Sequence, residues 1–228
     1  MHATVAVSRE LKCALLEGLS RGDHDAVMEA ASLRRVPAKN QITKQGFPAN
    51  RLFLLVKGCA RYYYTTPDGG KLLLRWIEPG EILGALALTA KPTQYLVSVE
   101  TVKDSEVLVW DRDVLRSLAR EIPRLLDNAL LISAEYLEWA LTAYTALTCN
   151  TARERLAKVL ISYGRAIGEE SREGLLIDVT NEELANSAHI TKYTTCRLLS
   201  EWQKNFAVAK RRGKILLLAP ERLLIATR

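Results

Sequence analysis

Lys192, Tyr193 and Arg197 stand within six residues, and their side chains suit hydrogen bonding and ion pairing with a flat, polyanionic partner. A guanidinium offers a rigid fork of donors for two acceptors on one base edge, an ammonium is a point charge for a phosphate, and a phenol puts a hydroxyl on an aromatic plate. At about 100° per residue on a helix, Lys192, Tyr193, Cys196 and Arg197 share one arc while Thr195, Leu198, Leu199 and Trp202 share another. The first arc is presented and the second is core.

The elements that must hold that arc are also written locally. Thr180 with Glu183 three residues on is a capping box, opening a short helix whose Leu184, Ala185 and Ala188 face inward. His189-Ile190 makes a turn, and Thr191 caps the next helix. Two helices with this break form the layout that lays its second helix in a DNA major groove. An ordinary helical hairpin with solvated charges is the bland alternative. Against it, Phe206-Ala-Val-Ala alternates, Lys210-Arg-Arg-Gly-Lys214 is a basic turn and Ile215 to Leu218 is an apolar run, together a hairpin of the wing type. The candidate DNA contacts are therefore Thr180, Thr191, Lys192, Tyr193, Thr194 and Arg197 from the helices, with Arg211, Arg212 and Lys214 from the wing.

Charge is placed accordingly. Residues 151–228 hold 14 Lys+Arg against 9 Asp+Glu, a net +5, whereas residues 1–150 hold 18 against 17, a net +1. Of the 228 residues, 48% are hydrophobic and 25% charged, the balance of a soluble globular chain with room for one large or two small domains. The sequence has neither a run of about 18 apolar residues nor a signal-peptide pattern, so the expectation is a cytoplasmic protein with no membrane partner. Cys13, Cys59, Cys149 and Cys196 are too scattered for a disulfide framework or a zinc or iron-sulfur cluster, and three histidines are too few for a multi-histidine metal site. No metal and no catalytic constellation are expected.

Residues 8–30 have helical texture, with Leu11, Leu15, Leu16 and Leu19 on one face and a break at Gly22. From Leu33 to Trp110 the texture is that of strands, with runs at 52–56, 60–64, 71–77, 95–99 and 106–110 and a hairpin turn at Pro67 to Gly70. A small antiparallel barrel or double-sheet roll follows. Past Pro123 a long helix runs to Asn150, with Leu126, Ser133, Ala140 and Leu147 seven apart and Leu130, Leu137 and Tyr144 interleaved. This a/d seam reads as a coiled-coil dimer helix; a single helix packed on its own domain is the alternative. Thr151 and Glu154 form another capping box, making 149–151 a hinge. The expected domains are a sensor at 1–122, a dimerisation helix and hinge at 123–150, and a reader at 151–228.

The glycines at strand ends (Gly46, Gly58, Gly70, Pro79-Gly80, Gly84), Arg155-Leu-Ala and the stretch 180–199 together resemble the Crp/Fnr superfamily of bacterial transcription regulators over nearly the whole chain. The resemblance implies an α+β architecture: an N-terminal antiparallel β-roll of the cyclic-nucleotide-binding kind, a long dimerisation helix and a C-terminal winged helix-turn-helix. It implies a homodimer on double-stranded DNA, with RNA polymerase as a further partner.

Departures from the family pattern matter as much. The resemblance puts Ala85 and Tyr95 where cyclic-nucleotide binders have a Glu for the ribose and an Arg for the cyclic phosphate, and Ala140 and Leu141 where they offer polar groups to the base. Losing the charge-assisted contact costs roughly 1.5–3 kcal/mol, so cyclic AMP recognition by the usual chemistry is not expected. The pocket implied by Gly84, Ala85, Leu86, Tyr95, Leu96, Ala140 and Leu141 takes an apolar or aromatic small molecule or nothing. Haem would have only Cys59 in the roll as an axial ligand, without a nearby His, and is not expected. In the recognition helix, Tyr193 cannot accept from cytosine N4 as the family's Glu does, while Arg197 retains a guanidinium for guanine. His189 replaces a common glycine in the turn. Two other readings stay open: a small-molecule-binding or enzymatic roll whose C-terminal domain makes protein contacts, and a constitutive DNA-binding dimer with a degenerate sensor.

Overall fold

The computed structural model describes residues 12–67, 69–211 and 213–224, so Leu11 and Arg212 among the residues singled out above lie outside it. The chain forms two compact units, 1–139 and 140–228.

In the first unit, a 3-10 turn at Ala14–Leu16 precedes helix α1, Arg21–Glu29. Gly22 is inside α1 rather than a break before it. The helix starts earlier because Ser20 caps it, its Oγ accepting from the Asp23 N–H at 3.1 Å. Eight strands follow: β1 Ser32–Val36, β2 Gln41–Thr43, β3 Arg51–Lys57, β4 Ala60–Thr65, β5 Lys71–Ile77, β6 Ile82–Leu83, β7 Ser98–Thr101 and β8 Ser105–Asp111. They make two antiparallel four-stranded sheets, ordered β1-β8-β3-β6 and β2-β7-β4-β5. Helices α2, Arg112–Glu121, and α3, Arg124–Cys149, come next.

The continuous apolar run in β3 has a simple cause: the strand is buried on both faces. Leu52, Leu54 and Val56 pack with Leu108 and Trp110 of β8 against Val27, Met28, Leu115, Leu125, Ala129 and Ile132 of the helices. Phe53 and Leu55 point the other way, with Val107 and Val109, into a core shared with Tyr62, Ile77 and Val99 of the second sheet. The register agrees, pairing Leu52 with Trp110 and Phe53 with Val109. Trp110 Nε1 donates to the Val27 carbonyl at 2.7 Å, locking α1 onto the roll.

One expected strand starts late. Residues 95–97 are not in β7, because Tyr95 turns back on the preceding segment: its N–H donates to the Phe47 carbonyl and its own carbonyl accepts from Gly46, each at 2.9 Å.

In the second unit, helix α4, Ala152–Ile167, opens with the Thr151/Glu154 capping box, both reciprocal bonds formed. A hairpin of β9 Glu169–Ser171 and β10 Gly174–Asp178, not anticipated from sequence, leads to α5, Asn181–Ala188, and α6, Lys192–Lys204. Then come β11 Val208–Arg211 and β12 Lys214–Leu217, completing a four-stranded sheet ordered β11-β12-β10-β9. Among the described residues no helix is long and apolar enough to cross a membrane.

Candidate nucleic-acid interface and ligand cavity

The helix pair forms as its caps require. Thr180 and Glu183 make a complete capping box on α5, and the Thr191 hydroxyl accepts from the Thr194 N–H to start α6. Between them His189 takes φ +50, the left-handed conformation that a helix-ending residue favours and that glycine adopts at least cost. Burial, and then the charge of Arg155, lower the His189 pKa below its ordinary range. Arg155 of α4 holds this corner: its Nε donates to the Ala188 carbonyl at 2.9 Å, Nη2 to His189 at 3.3 Å and Nη1 to Asn150 at 2.8 Å.

On α6, Thr195, Leu198, Leu199 and Trp202 are buried, whereas Lys192, Tyr193 and Arg197 are exposed, Tyr193 by 79%. The Trp202 indole N–H donates to the Leu223 carbonyl at 3.0 Å. Arg197 lies 4.0 Å from Glu201, a loose i,i+4 tether, and Glu201 is also paired with Arg153. Lys192 stands 3.9 Å from Glu182. On the wing, Arg211 reaches Glu173 at 3.4 Å and Lys210 donates to Ser200 Oγ at 2.8 Å. Exposed pairs of this kind are weak enough for a phosphate to displace.

Thr180, Lys192, Arg211 and Lys214 are brought together around one cleft of about 420 Å³, with Asn181, Glu182, Lys210 and Gly213. Thr191, which caps α6, and Tyr193, Thr194 and Arg197, which stand along it, are not in its lining. Lys210 was not singled out from sequence, although its place in the basic run was the available signal.

In the roll, a second cavity of about 400 Å³ is lined by Gly84, Ala85, Leu86, Tyr95 and Leu96, as the sequence reading grouped them. Ala140 and Leu141 do not line it. Helix α3 contributes Ser133, Tyr136 and Trp139 instead, three residues apart along one face and all N-terminal to Ala140. Gly84 has φ +77, and the Tyr95 hydroxyl is locked by Arg51, donating to its carbonyl at 2.8 Å and accepting from its N–H at 3.2 Å. Arg75 of β5 and Tyr62 of β4 also border the cavity and were missed, since nothing in their spacing relates them to Gly84. The hydroxyls of Tyr62 and Tyr136 lie 3.2 Å apart and both donate to the Ile82 carbonyl, at 3.3 and 3.0 Å. Burial raises the pKa of both phenols, so they stay neutral. Cys59 is buried too, its thiol pushed up to about 11 by desolvation.

The seam of α3 is uncovered. Leu130, Leu137 and Tyr144 are between 62% and 71% exposed, Leu126 and Leu147 are exposed as well, and the helix buries Leu125, Asn128, Ala129 and Ile132 instead.

Two known families match the chain: a cyclic nucleotide-binding domain over residues 33–121 and a Crp-like helix-turn-helix domain over residues 154–224. The anaerobic regulatory protein of Bacillus subtilis is 26% identical over 202 residues, covering 84% of this chain and 82% of its own. A CRP-like cAMP-activated global transcriptional regulator of Mycobacterium tuberculosis is 24% identical over 189 residues, covering 82% and 84%. Among solved structures, the c-di-GMP responsive global regulator CLP of Xanthomonas campestris shares the fold with a TM-score of 0.74 at 19% identity, over 87% of this chain and 99% of its own. FixK2 of Bradyrhizobium japonicum does so with a TM-score of 0.66 at 21% identity, over 87% and 98%.

Proposed function

We propose, for a chain that belongs to the Crp/Fnr family of transcription regulators, that it works as a cytoplasmic homodimer that binds a pseudo-palindromic DNA site, with RNA polymerase as its further partner. The carrying observation is the basic cleft of Thr180, Lys192, Arg211 and Lys214 beside the exposed arc of Tyr193 and Arg197. In this reading the wing and helix caps position the phosphates while Arg197 reads a base. The exposed seam of α3 pairs with a second copy, and residues 1–122, 123–150 and 151–228 act as sensor, dimer helix and reader. The cavity senses a ligand other than cyclic AMP, because Ala85 and Tyr95 supply neither a carboxylate nor a guanidinium.

Footprinting and cross-linking on genomic sites test the first half. A dimer protecting two half-sites about 10–11 bp apart is expected; a monomer on DNA or an asymmetric footprint refutes it. Calorimetry tests the second half, and a micromolar or tighter dissociation constant for cyclic AMP refutes it.

A further inference from the structure

The roll cavity has apolar walls from Leu74, Leu86, Leu96, Val97 and Trp139, and Arg75 is the charged side chain among its lining residues. That side chain is 26% exposed and enters from β5, on a different element from Ala85 and Tyr95. Its guanidinium sits 5.2 Å from the centroid of the Tyr136 ring, its Nε donates to the Trp76 carbonyl at 3.3 Å, and Nη2 pairs with Glu81. These bonds engage two of the five guanidinium N–H donors. Glu81 has another partner, accepting from the Glu78 N–H at 2.8 Å, so it stays hydrogen-bonded if Arg75 turns to a different anion.

We propose that this cavity binds a monocarboxylic acid with an apolar body, an aliphatic or arylalkanoic acid, whose carboxylate pairs with Arg75. The inference rests on the cavity being the sensor site of the regulator proposed above. Size agrees, since a cavity of about 400 Å³ lies within the roughly 300–1,000 Å³ of small-molecule sites. Charge selects the head group. A carboxylate matches the guanidinium fork in bidentate fashion, whereas a dianion would bury a second charge that no lining residue offsets. A neutral apolar compound gains contact area but leaves the guanidinium unused. The Tyr62 and Tyr136 hydroxyls donate to the Ile82 carbonyl and the Ser133 hydroxyl to the Ala129 carbonyl, so one of these rotors must turn to reach the second carboxylate oxygen. Because Arg75 stacks on Tyr136, a ligand that redirects the guanidinium alters a contact with α3.

The test titrates the full chain by calorimetry at neutral pH with octanoate, decanoate and 4-phenylbutyrate, each beside its primary amide. At least one acid is expected to bind saturably and at least tenfold tighter than its amide. In R75M that preference should vanish while amide binding persists, and R75K should keep part of it. Acids and amides binding alike, no saturable binding by any of the acids, or a folded R75M that still prefers acids each overturn the proposal. The acid-amide comparison in the unmodified protein stands even where R75M misfolds. Footprinting in parallel separates the two readings: symmetric DNA protection without acid binding sinks this inference alone, and acid binding without DNA binding sinks the regulatory reading.

Discussion

The ring of Tyr95 lies against the α-carbon of Gly84, so that a β-carbon there would be 2.9 Å from its Cε1 and 2.8 Å from the Arg51 carbonyl oxygen. With φ at +77 and the ring pinned through its hydroxyl, Gly84→Ala is expected to destabilise the protein by about 1–3 kcal/mol. Adding Tyr95→Ala should recover only part, because the carbonyl contact and the backbone strain remain. Urea denaturation of both variants is the measurement, and an unchanged midpoint for Gly84→Ala would contradict the packing described.

Leu137 is 62% exposed on the seam, so Leu137→Lys should leave the monomer's fold stable to within about 0.5 kcal/mol. If the seam joins two copies, the variant sediments as a monomer and loses operator binding. A dimeric Leu137→Lys protein would place the interface elsewhere.

Arg197 and Lys214 should leave different signatures on DNA. Arg197→Ala is expected to cost about 1–3 kcal/mol on the cognate site and to relax preference at one position per half-site. Lys214→Ala should weaken cognate and scrambled duplexes alike and lower the salt slope by about one per contact. Binding across a salt series measures both, and equal losses on both duplexes for Arg197→Ala would mean that the recognition face is misplaced.

His189 combines backbone strain with a lowered pKa. A histidine whose folded pKa lies below its ordinary 6.5 contributes stability that is complete above that value and is lost as pH falls through the folded value. His189→Gly should therefore raise stability by about 0.5–1 kcal/mol at neutral pH, with a larger margin at about pH 5.5. Thermal melts at the two pH values check this, and a margin that shrinks on acidification would reverse the assigned sign.

How far the sequence led depended on whether a feature is local. Capping boxes at Thr151 and Thr180 are defined by residues three apart, and both formed. The arcs of α6 follow from helix period alone. The hairpin of β9 and β10 escaped notice because Leu175 to Ile177 is too short a run to declare itself, and it becomes a strand by pairing with Ile215 to Leu217. Arg75 was hidden for the same reason. It joins the cavity through the sheet, and no spacing along the chain links it to Gly84 or Tyr136.

Arg155 touches Leu147, Asn150, Ala188 and His189 through their main-chain oxygens. Every residue type has such an oxygen. These hydrogen bonds between the helix-turn-helix corner and the end of the long helix do not depend on which side chains stand at those four positions, and they all come from a single guanidinium. A change at position 155 would therefore release these attachments together, whichever side chains stand at the positions it holds.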